Sequence, residues 1–238
     1  MRYPRIIAHR CGGALAPENT LSGLRIAARL GCHGVEFDVM LCADGTPVLI
    51  HDETLERTTS GAGSVGQAPL ADLAALDAGI RHHRAFAGEP LPTLQQALVA
   101  CAELGLWANV EVKPSAGREG ETGRRVAEAV AGFTNVLLSS FSIDALRQVA
   151  AVAEAQPRAL LVDTFGGDWA GTVHELGACG LHVAAPLASA ESLLPLREAG
   201  IPVACYTVNR RDAAARLFAD GVAAIFTDRP DLWRTDEM

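Results

Sequence analysis

Residues 34–52 have the sequence GVEFDVMLCADGTPVLIHD, in which apolar and acidic side chains alternate before a turn. The alternation predicts a strand that carries Glu36 and Asp38 on the same face, one pleat apart. Two neighbouring carboxylates repel each other, and a bound cation would remove that repulsion. A solvated hairpin face with an exposed histidine would have the same pattern, so this stretch alone leaves both interpretations open.

The turn within this stretch decides the direction of the next strand. Residues 43–46 are typical of a tight turn, and residues 47–50 return as a second short strand. A parallel crossover needs a dozen or more residues, so we expect an antiparallel hairpin. Counting from the turn sets His51 roughly opposite Glu36, which brings an imidazole towards the two acids.

Strand-like and helical stretches alternate along the rest of the chain. Apolar strand-like runs occupy residues 6–8, 35–39, 108–113, 136–139, 158–162, 181–184, 202–208 and 223–227. Helical patterns occupy residues 21–30, 94–104, 119–132, 142–155, 169–177, 190–199 and 211–220. Eight parallel strands in 238 residues predict an α/β fold, a (β/α)8 TIM barrel with the hairpin's return strand as an extra. An open doubly wound sheet is the alternative, although no GxGxxG follows the first strand.

Composition sets the domain organisation. The chain is 49% hydrophobic, enough for one large core, so we expect a single domain over residues 1–238. Residues 53–90 are glycine-rich with few apolar runs, and we interpret them as an insertion lying over one end of that domain.

Charge and cysteine content limit the kinds of partner and the cell compartment that we expect. The net charge is −8 without a basic run, which argues against nucleic acid or a stable membrane anchor. Six cysteines show no CxxC pair, which favours reduced thiols in a cytoplasmic protein. No segment has the length of a signal peptide or a membrane span. The sequence leaves the oligomeric state open.

Polar residues fall where three neighbouring strands of the predicted barrel end, which is the end that carries TIM-barrel active sites. They are His9, Arg10, Glu36, Asp38, Glu111 and Lys113, with His51 delivered beside them by the hairpin. Three carboxylates without a cysteine suit Ca²⁺ or Mg²⁺, whereas the histidines could complete a transition-metal site instead. Two imidazoles and the two positively charged side chains of Arg10 and Lys113, placed around a metal ion, suit the hydrolysis of a phosphodiester. The expected partner is therefore a small-molecule substrate.

These motifs resemble the glycerophosphodiester phosphodiesterase family. The resemblance rests on His9-Arg10, Pro17-Glu18-Asn19-Thr20, Glu36-x-Asp38, His51-Asp52, Glu111-x-Lys113 and Tyr206-Thr-Val-Asn209. It implies a metal-dependent hydrolase of glycerolipid metabolism that converts small glycerophosphodiesters to sn-glycerol 3-phosphate and an alcohol. It also implies roles for eight residues: Glu36, Asp38 and Glu111 as ligands of the cation, His9 and His51 as the acid–base pair, and Arg10, Lys113 and Tyr206 as substrate contacts.

Two positions depart from the family pattern. Cys11 stands where the family usually has glycine, and Tyr206 stands where it usually has tryptophan. The first departure places a thiol near the metal, where it could respond to oxidation. A lysophospholipase D-like activity on longer lipids, or a non-catalytic glycerophosphodiester-binding protein, are the alternatives.

Three polar residues near these motifs are interpreted as structural. We expect Glu18 and Asn19 to be helix-start groups and Asn209 to cap the helix that contains Asp212.

Overall fold

The computed structural model describes residues 3–164 and 167–233, and within these ranges nine strands form one sheet. The strands are β1 Ile6–Ala8, β2 Gly34–Leu41, β3 Pro47–Leu49, β4 Trp107–Val112, β5 Val136–Ser140, β6 Arg158–Val162, β7 Gly180–Ala184, β8 Val203–Tyr206 and β9 Ala224–Thr227. Eight of them pair in parallel in the order β1-β9-β8-β7-β6-β5-β4-β2, and the β1–β2 pairing closes the ring. The predicted TIM barrel with one extra antiparallel strand, β3, is confirmed.

Helices separate the strands and cover the barrel. They are α1 Leu21–Arg29, α2 Leu70–Leu73, α3 Leu94–Leu104, α4 Glu119–Ala129, α5 Ile143–Val152, α6 Trp169–Glu175, α7 Ala190–Glu198 and α8 Arg211–Ala219. α3 begins with a capping box formed by Thr93 and Gln96. The predicted bounds of α4 and α5 extend a few residues too far, because apolar residues continue into the loops that follow.

The pleat of β2 places its apolar and its acidic side chains on opposite faces of the strand. All eight of its residues are buried. Phe37 and Val39 pack in the main apolar cluster with the surrounding helices, so Glu36 and Asp38 point to the opposite face, inside the barrel. The barrel interior nearer the N-terminal ends is filled by an apolar cluster that includes Tyr3, Ile7, Trp107, Leu137 and Phe226. The acids therefore stand above a packed layer, at the open end.

Strand register brings the acids of two strands together. Asp38 of β2 pairs with Glu111 of β4. In the hairpin, Val39 pairs with Leu49, and this register sets position 51 opposite Phe37. The prediction that His51 lies roughly opposite Glu36 therefore agrees with the structure to within one residue. His51 lies just beyond the last paired residue of β3, where the chain is free to turn towards the barrel mouth.

The helix-start predictions need correction. The N-cap of α1 is Thr20, whose side chain accepts from the backbone N–H of Gly23. The side chain of Asn19 instead reaches into the barrel, where it contacts Asp38. The N-cap of α8 is Arg210 and not Asn209, whose side-chain oxygen accepts from the hydroxyl of Thr227, the last residue of β9, and from the backbone N–H of Asp228. Short polar side chains suit helix caps, but here long-range polar partners compete successfully for them.

The segment 53–90 packs against the hairpin. Its apolar side chains, among them Leu55, Val65 and Leu73, form a small cluster with Met40 and Val48. Its far end is fixed at the start of α1, where the carboxylate of Glu89 accepts from the backbone N–H of Ser22 at 2.8 Å and from its hydroxyl at 2.6 Å.

All six cysteines are free thiols, as expected. None of the helices in the described ranges has both the length and the apolar character that crossing a bilayer requires.

Candidate active site

Three carboxylates meet at the mouth of the barrel. One oxygen from each of Glu36, Asp38 and Glu111 lies within 4.8 Å of the other two. Burial and the neighbouring charge of Asp38 raise the pKa of Glu111 to about 7, and burial raises the pKa of Glu36 well above its ordinary value. Within the described part of the chain, Oε1 of Glu36 is buried without a hydrogen-bond partner. The cluster thus has the acceptor atoms of a cation site.

The loop after β1 holds two of these acids in place. The backbone N–H of Arg10 donates to Oε2 of Glu36 at 2.9 Å. The amide of Asn19 donates to Oδ2 of Asp38 at 2.9 Å, and its oxygen accepts from the backbone N–H of Asp38 at 3.1 Å. Arg10 and Asn19 both have positive φ, at 49° and 57°. The loop therefore adopts left-handed backbone at the points where it reaches the acids.

Two positively charged side chains, those of Arg10 and Lys113, lie beside the three carboxylates. Nε of Arg10 lies 3.7 Å from Oδ2 of Asp38. Nζ of Lys113 lies 3.7 Å from Oε1 of Glu111 and 3.9 Å from Oδ1 of Asp38. These distances are longer than hydrogen bonds, so both cations attract the acids but leave their oxygens available.

His9 is supported by a carboxylate from the far end of the chain. Its Nδ1 lies 2.7 Å from Oδ1 of Asp228, just after β9. The other oxygen of Asp228 accepts from the amide of Asn209 at 2.8 Å. Since an ionised carboxylate only accepts, Nδ1 of His9 carries the proton. Nε2 then faces the acid cluster, 3.9 Å from Oε2 of Glu36.

His51 is supported by a carboxylate in the same way. Its Nδ1 lies 2.7 Å from Oδ1 of Asp52, and the guanidinium of Arg57 lies behind that carboxylate. Nε2 of His51 accepts from Nζ of Lys113 at 3.1 Å. Both histidines therefore present Nε2 towards the cavity.

One cavity of about 270 Å³ joins all of these groups. It is lined by each of the eight residues singled out from the sequence: His9, Arg10, Glu36, Asp38, His51, Glu111, Lys113 and Tyr206. The side formed by the later strands is largely apolar, with Phe141, Leu161 and Phe226 beside Tyr206. The hydroxyl of Tyr206 donates to the carbonyl of Val162 at 2.8 Å, so the proton of this hydroxyl is not available to a ligand.

Several supporting residues escaped the sequence analysis. Asp228 directly follows a strand, as His9 does, and that position was the available signal. Asp52 was noted within a motif but without a role, and Arg57 has no local signal because its partners include a residue 39 positions away. Only the closed barrel brings such pairs together.

The thiol of Cys11 is less reactive than its position suggested. The residue is fully buried, and burial raises the pKa of the thiol well above its ordinary value, which favours the unreactive protonated form. Its φ of 73° is the left-handed region that glycine adopts more easily. The loop nevertheless delivers Arg10 to the cluster with cysteine at this position.

Comparison with known proteins agrees with this geometry. The sequence profile of the Glycerophosphoryl diester phosphodiesterase family matches residues 9–232. A glycerophosphodiester phosphodiesterase of Caldanaerobacter subterraneus subsp. tengcongensis is 31% identical over 229 residues, which cover 95% of this chain and 94% of that protein.

Solved structures extend the likeness to the fold. A phosphodiesterase of Oleispira antarctica, solved in complex with the product sn-glycerol-3-phosphate, superposes with a TM-score of 0.93 at 35% identity, covering 96% of this chain and 94% of that one. A glycerophosphodiester phosphodiesterase of Agrobacterium tumefaciens superposes with a TM-score of 0.78 at 27% identity, covering 97% and 98%. The chain therefore belongs to the glycerophosphoryl diester phosphodiesterase family, a family of phosphoric diester hydrolases.

Proposed function

We propose that this chain hydrolyses small glycerophosphodiesters to sn-glycerol 3-phosphate and an alcohol, with the help of a divalent cation. The observation that carries the proposal is the convergence of three buried carboxylates, two carboxylate-supported histidines and two cationic side chains on one cavity. The product bound to the Oleispira antarctica relative supports the same substrate class.

The cation would be held by Glu36, Asp38 and Glu111. The fit rests on the unpartnered Oε1 of Glu36 and on the raised pKa values of Glu36 and Glu111, which mark charge that the surroundings leave uncompensated. An all-carboxylate donor set suits a hard cation, Ca²⁺ or Mg²⁺. When bound, such an ion neutralises charge on the phosphate oxygens and stabilises the charge that develops during displacement.

Arg10 and Lys113 would bind the phosphate. Both lie beside the acid cluster and both line the cavity. Arginine and lysine supply charge-assisted hydrogen bonds to the non-bridging oxygens. A phosphate that recruits Lys113 would also release Nε2 of His51 from its present contact.

His9 and His51 would move the protons. Because each Nδ1–H is occupied by a carboxylate, each Nε2 is the atom available to the substrate. One histidine accepts the proton of the attacking group as the new P–O bond forms. This group is either water or the 2-hydroxyl of the substrate's glycerol, and in the second case water then opens the cyclic phosphate. The other histidine donates a proton to the oxygen of the departing alcohol as the old P–O bond breaks.

The size of the cavity favours small substrates. Its volume, about 270 Å³, lies at the lower limit of pockets that hold drug-sized ligands, roughly 300–1,000 Å³. A head-group alcohol such as choline or ethanolamine suits this space better than a long lipid chain.

We also propose that residues 1–238 form one domain, with residues 53–90 as its insertion; positions 1–2, 165–166 and 234–238 lie outside the described residues. The six reduced thiols favour a cytoplasmic location for this domain.

The test is the release of glycerol 3-phosphate from a panel of glycerophosphodiesters, before and after EDTA and with Ca²⁺ or Mg²⁺ restored. His9→Ala and His51→Ala should each lower turnover by about 10²–10⁴-fold while the affinity for the cation changes little, since the effect is on proton transfer. His174→Ala, at an exposed histidine, is the matched control. Near-normal turnover in both active-site variants, or turnover of the stripped enzyme at the full rate, would refute the proposal.

A further inference from the structure

Arg57 lies behind the wall of the cavity, in the segment that follows the hairpin, and its guanidinium contacts two carboxylates at once. Nη1 donates to Oε2 of Glu18 at 2.7 Å and Nη2 donates to Oε1 at 2.9 Å. On the other side, Nε donates to Oδ2 of Asp52, and Nη2 also lies 3.0 Å from its Oδ1. The planar, five-donor fork of arginine is suited to serving two carboxylates in this way.

Each of these carboxylates also contacts a residue to which the proposed function gives a direct role. Asp52 lies 2.7 Å from Nδ1 of His51, and Oε1 of Glu18 accepts from Nη1 of Arg10 at 3.1 Å. One guanidinium therefore stands behind both a proton-transfer group and a phosphate-binding group. These two groups follow different strands, β1 and β3, so nothing in the local sequence fixes their separation.

We propose that Arg57 is a positioning residue: it holds Asp52 against His51 and Glu18 against Arg10, and so sets the placement of the imidazole relative to the phosphate-binding guanidinium. This inference rests on the proposed function for the roles of His51 and Arg10. Arg57 itself touches no reacting atom. The positions of both His51 and Arg10 nevertheless depend on this one side chain.

The charges explain why no neutral side chain could replace Arg57. Without it, Asp52 and Glu18 would be two carboxylates that lose the cation they share. The hydrogen bonds from Arg57 are the main cause that the pKa of Asp52 lies well below its usual range, which keeps Asp52 an acceptor for His51. Repulsion between the two acids would let each move away from its own partner.

The expected loss of function is larger than the loss of stability. The side chain of Arg57 is 46% exposed, and ion pairs that are exposed to solvent contribute little to folding stability. A displacement of the reacting groups by about 1 Å can cost on the order of 10²-fold in rate. Replacing a residue that only stabilised the fold would instead lower the stability more than the turnover.

The decisive variant is Arg57→Met, which keeps the length of the side chain and removes the charge. We expect kcat to fall about 10-fold or more through His51, and KM to rise through Arg10, as second-layer contacts typically contribute 10–100-fold. The melting temperature should move no more than that of the matched control Arg147→Met. Arg147 is an exposed arginine far along the chain that also bonds two carboxylates, Asp144 at 3.1 Å and Glu175 at 2.8 Å. Arg57→Lys should restore part of the activity, since one ammonium can serve one of the two acids.

Double variants separate the effect of Arg57 on His51, through Asp52, from its effect on Arg10, through Glu18. In an Asp52→Asn background, Arg57→Met should change kcat by less than about 2-fold and act on KM alone, because coupled residues are not additive. In a Glu18→Gln background it should act on kcat alone. A folded Arg57→Met enzyme with kcat and KM within about 2-fold of the parent, or fully additive effects in both backgrounds, would overturn the proposal.

A measurement without turnover keeps this test distinct from that of the proposed function. In ¹⁵N spectra of the ring, assigned with His51→Gln, the proton of His51 should sit on Nδ1 in the parent and shift partly to Nε2 in Arg57→Met. If the parent released no glycerol 3-phosphate, the proposed function would fail while this readout still decided whether Arg57 positions His51. An unchanged Nδ1–H in a folded Arg57→Met variant would refute the positioning role.

Discussion

Nδ1 of His9 lies 2.7 Å from Oδ1 of Asp228, although 219 positions of sequence separate the two residues. β1 and β9 pair in parallel with Ala8 opposite Thr227, so the residues after each strand are neighbours. The closure of the barrel therefore supports one of the two histidines at the mouth.

Asp228→Asn should lower kcat by about 10–100-fold, because the neutral amide no longer fixes the proton of His9 on Nδ1. The affinity for the cation should change little, since Asp228 is outside the three-acid cluster. Steady-state kinetics and calorimetric titration with Ca²⁺ or Mg²⁺ measure the two effects. Asp231→Asn is the control, at an acid three positions on that is paired with Arg229; equal kinetics for the two variants would contradict the role of Asp228.

Asn19→Ala should weaken binding of the cation by about 10–100-fold, because Asn19 orients Asp38 through two hydrogen bonds. Turnover at saturating metal should recover in part. Titration of the stripped protein with the cation gives the affinity, and Asn135→Ala, at an exposed loop asparagine, is the control. Unaltered affinity in a folded Asn19→Ala protein would show that Asp38 keeps its orientation without help.

Metal-stripped protein should lose stability as the pH rises from about 4.5 to about 7. The pKa of Glu111 is raised from 4.5 to about 7 and that of Glu36 is raised well above its ordinary value, with burial as the largest cause of both shifts. The folded state thus binds more protons than the unfolded chain in this window, and its stability falls as those protons leave.

Thermal unfolding with EDTA at several pH values measures this fall, and added Ca²⁺ or Mg²⁺ should reverse it at neutral pH. Glu36→Gln should flatten the dependence, since it removes one of the buried charges. A stripped parent whose melting temperature followed that of Glu36→Gln at every pH would contradict the prediction.

Gly123→Ala and Gly120→Ala should have opposite effects on stability, although both change the same helix, α4. A β-carbon on Gly123 would lie within 2.3 Å of the carbonyl oxygen of Ala145 on α5, so we expect a loss of about 1–3 kcal/mol. A β-carbon on Gly120 would meet Gln148 at an ordinary 3.5 Å, and replacing a helical glycine gains about 0.5–1 kcal/mol. Denaturant unfolding of the two variants gives the difference; equal shifts would refute the close approach of α4 to α5.

The sequence predicted the residues of this site better than the contacts that hold them. Glu36, Asp38 and Glu111 were found because strand period and barrel topology are local patterns that fix which face and which end a side chain occupies. Asn209 was misread as a helix cap because its actual partner, Asp228, is 19 positions away. A side chain's choice between a local and a distant partner depends on the packed fold, and no periodicity records it.

The hairpin shows the same limit on a smaller scale. Its antiparallel direction followed from the length of the turn, whereas the register could be predicted only to within one residue, with His51 placed roughly opposite Glu36 and found opposite Phe37. The turn closes through hydrogen bonds between Cys42 and Thr46 and between Gly45 and Cys42. Which residues close a turn determines the register, and several choices fitted the sequence.

The pairing of β1 with β9 has a consequence for synthesis of the chain. A nascent polypeptide released as far as β8 already contains Glu36, Asp38, Glu111 and both histidines. It lacks Asp228, so one imidazole has no fixed tautomer until the last strand leaves the ribosome. Chains that end before β9 would also leave one edge of β1 and one edge of β8 unpaired, so the barrel would not close.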